Sequence, residues 1–354
     1  MKVLSVVGAR PQFVKLAPID HAMREAGVEH VIVHTGQHYD PMLSDVFFTE
    51  LGISAPNVHL GIGSGSHGAQ TGSMLTALDP ILDEHQTDWV LAYGDTNSTV
   101  AAALSAVKMH LPLAHLEAGL RSFNRRMPEE HNRVVTDHVA DLLLAPTEVA
   151  MGHLAHEGLA ARSVLVGDVM TDVLLSARDR VSQRNSSLFG DLAGPGEYYL
   201  ATLHRADNTD DPERLAEIVS ALAALDSPVI LLAHPRLIAK AASHGIELAR
   251  GMLHPHAPLG YNDLVAAALS SAGVITDSGG LQKEAFLLRV PCTTLRTETE
   301  WTETIDLGWN VLAQTHSEIV AAVTRPRPAD TEAVPYGDGH AAQRVVAELL
   351  DRAR

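Results

Sequence analysis

The sequence predicts an α/β protein made of two doubly wound, Rossmann-like domains. Three observations carry this. Short β-rich runs alternate with helical patterns from the first residues onward, which is the βαβ rhythm of a parallel sheet. The rhythm breaks in a polar, Gly- and Pro-containing stretch over 182–196 and starts again at Tyr198. The length of 354 residues suits two domains of roughly 170 residues each better than one.

Taken in order, Val3 to Val7 reads as the first strand, Pro11 to Ala26 as a helix and Val31 to His34 as the second strand. Trp89 to Ala92, Leu113 to Leu116 and Leu142 to Ala145 continue the series, with a strongly periodic helix from Asn97 to Met109. Val164 to Val166 closes it, and the boundary falls at Gly167. Tyr198 to Thr202, Val229 to Ala233 and Gly273 to Thr276 are strands of a second sheet. Gly339 to Arg352 is a helix with Val345, Val346, Leu349 and Leu350 on one face, suited to packing back on the first domain. The expected domains are therefore 1–167, completed by a terminal helix over 340–354, and 168–339.

A hydrophobic fraction of 46% supplies two cores, whereas the net charge of −17 argues against nucleic acid or an anionic membrane as partner. Any phosphate must be met by local cations and backbone amides. The single cysteine, Cys292, excludes a disulfide framework and a cysteine-based metal cluster and reads as a buried thiol. None of the 20 histidines falls in a metal-ligand motif, so no metal is expected. The start of the chain carries neither a signal peptide nor a membrane span, which makes the cytoplasm the default location.

Asp95 and Glu117 follow the ends of apolar runs, and Pro128-Glu129-Glu130 adds carboxylates about a dozen residues later. Acids converging on one sheet edge suit proton transfer. The alternative is local: Asp95 caps the helix near Asn97 and Glu117 satisfies a loop. Arg10 and Lys15 flank a helix amino terminus, an unfavourable place for cations unless an anion joins them, so a phosphate fits there. A second anion site is written in Thr276-Asp277-Ser278-Gly279-Gly280, where two glycines permit close approach to a diphosphate. Glu284 follows one helical turn later, placed to accept from ribose hydroxyls. His204 sits at the carboxyl end of a strand, where it would face the expected cleft. The acidic run over 207–212 fits a helix cap better than a cation loop. Gly63 to Gly68 spells GxGxxG, but the short apolar run before it makes it a decoy.

Gly8-Ala9-Arg10-Pro11-Gln12, Tyr93-Gly94-Asp95-Thr96, His115 to Arg121, Met127 to Arg133, His204-Arg205, Thr276 to Gly280 and Tyr336 to Gly339 together resemble the non-hydrolysing UDP-N-acetylglucosamine 2-epimerases. The likeness runs in order through nearly the whole chain. It implies two Rossmann-like domains in a GT-B arrangement, whose closure on an interdomain cleft would retain the intermediate, and a homodimer. It also implies interconversion of UDP-N-acetylglucosamine and UDP-N-acetylmannosamine without a cofactor, through loss of UDP to 2-acetamidoglucal and its re-addition. By motif match, Asp95, Glu117 and Glu129 are the acid/base candidates and His204 stabilises the departing diphosphate. Arg10, Lys15, Ser278, Gly279 and Gly280 would hold UDP, Glu284 the ribose, and Arg133, His234 and Tyr261 would join the substrate contacts.

The chain departs from the family at Trp301, where many members carry arginine, and at Leu264, where some carry a uracil-stacking aromatic. Together with Gly36 to Asp40 and Arg121 to Asn124, Trp301 resembles a branch that includes UDP-2,3-diacetamido-2,3-dideoxyglucuronate 2-epimerases, which makes that sugar the alternative substrate. A glutamine-rich motif tied to allosteric activation in parts of the family is altered after His38. A GT-B glycosyltransferase would share the fold without needing acids on both ring faces.

Overall fold

The computed structural model describes residues 1–37, 52–182, 188–190 and 192–353. Two compact units result: Met1–Val173 with Val334–Arg354, and Leu174–Ala333. The sequence boundary at Gly167 lies just before this change of unit.

The first unit runs β1 (Lys2–Val7), α1 (Arg10–Glu25), β2 (Glu29–His34), β3 (Val58–His59), α2 (His67–His85), β4 (Trp89–Tyr93), α3 (Asn97–Lys108), β5 (Leu113–Leu116), α4 (Pro128–Val139), β6 (Leu142–Ala145), α5 (Glu148–His156) and β7 (Ser163–Leu165). Its strands form one parallel sheet in the order β3-β2-β1-β4-β5-β6-β7. β1, β4, β5 and β6 are apolar almost throughout because helices cover both of their faces. On one face Phe13, Leu16 and Ile19 of α1 pack with Val345 and Leu349. On the other, Met74, Leu78 and Leu82 of α2 meet the alanine-rich side of α3, whose small residues bring that helix close to the sheet. The one buried hydroxyl of β1, on Ser5, is matched by Tyr93 Oη at 2.8 Å.

The chain changes units inside α6 (Val169–Val181). The second unit contains β8 (Tyr199–Thr202), α7 (Ala206–Thr209), α8 (Pro212–Ala223), β9 (Val229–Leu232), α9 (Pro235–Ser243), β10 (Leu253–His256) and α10 (Tyr261–Leu269). It continues with β11 (Gly273–Thr276), α11 (Gly279–Leu287), β12 (Cys292–Thr294), α12 (Thr302–Asp306), β13 (Asn310–Leu312) and α13 (His316–Val323). Its strands are again parallel, in the order β10-β9-β8-β11-β12-β13. Cys292 is buried, and burial pushes its thiol up to about 12.

The last helix, α14 (Ala341–Arg352), belongs to the first unit. It lacks a side-chain cap of its own, and the Asp172 carboxylate serves instead, accepting from Ala341 N at 3.1 Å and Ala342 N at 2.7 Å. Trp89 Nε1 donates to Leu349 O at 3.2 Å, tying the helix to β4. Strand order reverses at β1/β4 in one sheet and at β8/β11 in the other. Ligands of such sheets bind outside the carboxyl ends of the strands at those points.

Candidate active site

In the first unit, three loops leave the carboxyl ends of β1, β4 and β5, and buried polar groups lock them together. Gln12 accepts from Gly8 N at 2.8 Å and Ala9 N at 3.0 Å, and its amide donates to Tyr93 O at 2.8 Å and Thr99 Oγ1 at 3.2 Å. One glutamine thus joins the β1 turn to the end of β4 and the start of α3. The cap of α3 is Thr96, whose hydroxyl accepts from Thr99 N, so Asp95 is released from the capping role that the sequence left open. Its carboxylate instead pairs with Arg133 Nη2 at 2.5 Å.

Glu117 stands directly after β5 with φ of 69°, a left-handed conformation that disfavours any residue with a Cβ. It does not satisfy its own loop, because its carboxylate is paired with the Lys15 ammonium. Burial opposes the charge on Lys15, and the Glu117 carboxylate outweighs that effect, so the lysine pKa is raised and the cation persists. Gly94, at φ of 61°, leaves room for the pair: a Cβ there would lie 3.3 Å from Glu117 Oε2 and 3.5 Å from Lys15 Nζ. Lys15 and Arg133, which the sequence places among the substrate contacts, are therefore each engaged by an acid of their own unit. Of Arg10 the structure describes the backbone at the start of α1; its side chain, like His38 to Asp40, lies outside the description.

The first turn of α4 carries two adjacent acids in different states. Glu130 is buried, accepts from Ser122 N at 2.9 Å and Phe123 N at 2.8 Å, and lies 3.4 Å from Arg133 Nη1. Burial acts to raise its pKa, and these donors overcome that and lower it. Glu129 is half-buried, and among the described residues its carboxylate has no hydrogen-bond or ion-pair partner.

In the second unit His204 follows β8 and Asp277 follows β11, across the strand-order reversal. His204 Nδ1 lies 2.9 Å from Asp277 Oδ1, and the imidazole remains 55% exposed. Hydrogen bonding to Asp277 raises the His204 pKa, with burial opposing. Asp277 is fully buried and also accepts from the backbone of His204 and Arg205 and from Asn208. Ser278 caps α11, and Gly279 and Gly280 are its first residues, whose N–H groups have no intrahelical acceptor.

On α11, Glu284 accepts from Tyr261 Oη at 3.2 Å, and burial pushes its carboxyl up to about 6. His234 is exposed and caps α9. A cavity of about 480 Å³ opens beside these groups, lined by His204, His234, Pro258, Leu259 and Leu264 among others. Its apolar walls and convergent polar rim suit a flat heterocycle. Asp211 caps α8, as the acidic run suggests.

Sequence reasoning brought forward the acids and missed their supports. Gln12, His115 and Asp137 are fully buried polar residues on or beside the loop-bearing elements. Gln12 and His115 fall inside the motifs that carry the resemblance but have no role marked there, and Asp137 lies on a helix whose buried residues, Glu130, Thr136 and Asp137, are all polar, so no apolar pattern points to it.

The comparisons agree with this geometry. Residues 21–350 match the family model for UDP-N-acetylglucosamine 2-epimerase. A UDP-N-acetylglucosamine 2-epimerase homolog of Methanococcus maripaludis is 44% identical over 99% of both chains. The UDP-2,3-diacetamido-2,3-dideoxy-D-glucuronate 2-epimerase of Pseudomonas aeruginosa is likewise 44% identical over 99% of both. The structure of the UDP-GlcNAc 2-epimerase from Methanocaldococcus jannaschii superposes with a TM-score of 0.89 at 35% identity, covering 99% of this chain and 100% of that one. With the two parallel sheets, the paired carboxylates and a match over nearly its whole length, the chain belongs to the UDP-N-acetylglucosamine 2-epimerase family.

Proposed function

We propose that the chain epimerises UDP-N-acetylglucosamine at C2, interconverting it with UDP-N-acetylmannosamine. The observation that carries the reading is the placement of two carboxylates, Asp95 and Glu117, at the ends of adjacent strands, each beside a cation fixed by the fold. As the diphosphate leaves, the anomeric carbon gains oxocarbenium character and the neighbouring C2 proton becomes acidic enough for a carboxylate to take. Loss of that proton and of UDP gives 2-acetamidoglucal. Return of a proton to the opposite face, with re-addition of UDP, gives the epimer.

Asp95, Glu117 and Glu129 are the groups that move protons. Glu129, unpaired among the described residues, has its carboxylate available to the substrate. The imidazolium of His204, kept charged by Asp277, neutralises the departing diphosphate. The amides of Gly279 and Gly280 hold its oxygens, Glu284 and Tyr261 take the ribose, and the Leu264-lined cavity takes the uracil. No redox partner is required by this balance. The enzyme acts in the cytoplasm as a homodimer, which light scattering of the purified protein tests.

The Pseudomonas relative and the Trp301 departure favour a second substrate, UDP-2,3-diacetamido-2,3-dideoxyglucuronate. Incubation of both UDP sugars with enzyme in heavy water decides between them. The true substrate gains deuterium at C2 and equilibrates with its epimer, and absence of C2 exchange in both sinks the proposal.

A further inference from the structure

Beneath the two acid-bearing turns lies a side chain that none of these roles uses. We infer that His115, braced by Asp137, is a positioning residue for the C2 proton transfer, fixing the Gly94–Asp95 turn against the Glu117–Gly119 turn. The inference rests on Asp95 and Glu117 being the acid/base groups.

His115 points from β5 into the interior, and neither it nor Asp137 of α4 is exposed. Its Nε2 lies 2.7 Å from Gly94 O, and its Nδ1 lies 2.7 Å from Asp137 Oδ1. The other oxygen of Asp137 accepts from Gly119 N at 3.1 Å and Arg121 Nη1 at 2.7 Å. Arg121 then grips Glu157 with two bonds of 2.8 Å each. The result is one chain of hydrogen bonds, from the carbonyl just before Asp95, past both ends of the Glu117 turn, out to the half-buried Glu157.

The position of this chain sets its role. Glu117 has a left-handed φ of 69°, which in a residue with a Cβ persists only where the surroundings over-determine it, and the glycines of the two turns, Gly94 and Gly119, adopt their φ values of 61° and 82° freely and so need fixing by other bonds. His115 and Asp137 supply that fixing through buried bonds to Gly94 O and Gly119 N. The Gly94 carbonyl shares a peptide with Asp95, so freeing it lets that peptide turn and swings the carboxylate. Displacement of a reacting group by about 1 Å costs on the order of a hundredfold in rate.

Two substitutions separate the two bonds of the ring. His115→Gln keeps a donor at the Nε2 position, toward Gly94 O, and His115→Asn keeps one at the Nδ1 position, toward Asp137. Rates of C2 deuterium incorporation into the UDP sugar that wild type turns over are compared for both, with UDP affinity and melting temperature. Positioning predicts that His115→Asn loses at least tenfold in kcat with KM within threefold and UDP affinity unchanged, and that His115→Gln recovers most of the rate. Full kcat in His115→Asn, or equal losses in both that follow melting temperature, overturns it.

Should neither variant fold, Glu157→Gln at the outer end decides. A kcat at least threefold lower at constant KM supports the chain, and an unchanged kcat refutes it. Wild type without C2 exchange overturns the epimerase reading and this inference together, whereas wild-type exchange with a fully active His115→Asn overturns the inference alone.

Discussion

Lys15 and Glu117 are paired across 102 residues of sequence, joining the first helix of the chain to the turn after β5. The pairing fixes the direction of a carboxylate whose backbone is already held in a strained conformation. Asp95 and Arg133 repeat the arrangement one strand away. Each acid therefore has a cation of its own unit held beside it.

Removing either carboxylate should separate chemistry from binding. Asp95→Asn and Glu117→Gln are expected to hold UDP within about tenfold of wild type, a difference of about 1.4 kcal/mol, while C2 exchange falls by at least a thousandfold. Calorimetry with UDP and deuterium incorporation check the two halves, and full activity in both variants would refute the catalytic assignment.

The His204–Asp277 pair predicts a pH dependence whose sign follows from its two shifts. His204 is raised in the fold, so its stabilising contribution is complete below the ordinary histidine value and is lost as pH rises through the higher folded value. Asp277 is lowered despite its burial, by His204 and backbone donors, so its contribution is complete above the ordinary aspartate value and is lost as pH falls through the lower folded one. Both operate fully between about pH 4 and 6.5. UDP affinity should decline as His204 loses its proton, and Asp277→Asn should move that decline to lower pH. NMR titration of His204 alongside UDP calorimetry tests the link.

Glu284 presents the opposite case, a proposed ribose contact that weakens the fold. Burial raises its pKa to about 6, so the native state binds the extra proton and stability falls as pH rises from about 4.5 through 6. Glu284→Gln should gain on the order of 1 kcal/mol at neutral pH and lose UDP affinity. Urea unfolding and UDP titration of one preparation measure both; a variant that is less stable and binds UDP normally contradicts the assignment.

Gly119 tests the backbone of the turn. At φ of 82°, an added Cβ would lie 2.5 Å from Ala150 O and 2.8 Å from Leu154 Cγ. Gly119→Ala should cost at least about 2 kcal/mol in denaturant unfolding, because neither the carbonyl of α5 nor the packed leucine can retreat cheaply.

Most of the strands at the centre of each sheet are legible in the sequence, because burial on both faces writes them as continuous apolar runs. The strands that escaped are short or lie toward the edges. β3 has two residues, β12 and β13 have three each, and β10 reads Leu-His-Pro-His, with a proline that only an edge tolerates. At the site, Asp95, Glu117 and His204 stood out because acids and histidines at strand ends are conspicuous. What each one touches was not legible: Lys15 looked like an anion binder and Arg133 like a substrate contact, and only the fold brings them onto carboxylates 102 and 38 residues away. Asp277 is the clearest case, since its buried contacts with His204 depend on a strand pairing between β8 and β11.

The docking of α14 bears on how the protein is made. The second unit is continuous in sequence, so it can fold as soon as it leaves the ribosome. The first unit emerges earlier, yet one wall of its core, Val345, Val346 and Leu349, and the carbonyl that Trp89 seeks are synthesised only after the whole of the second unit. Nascent Met1–Val173 must therefore wait with the part of one apolar sheet face that α1 leaves open exposed while another unit folds behind it, and that interval is when chaperones have most to offer this chain.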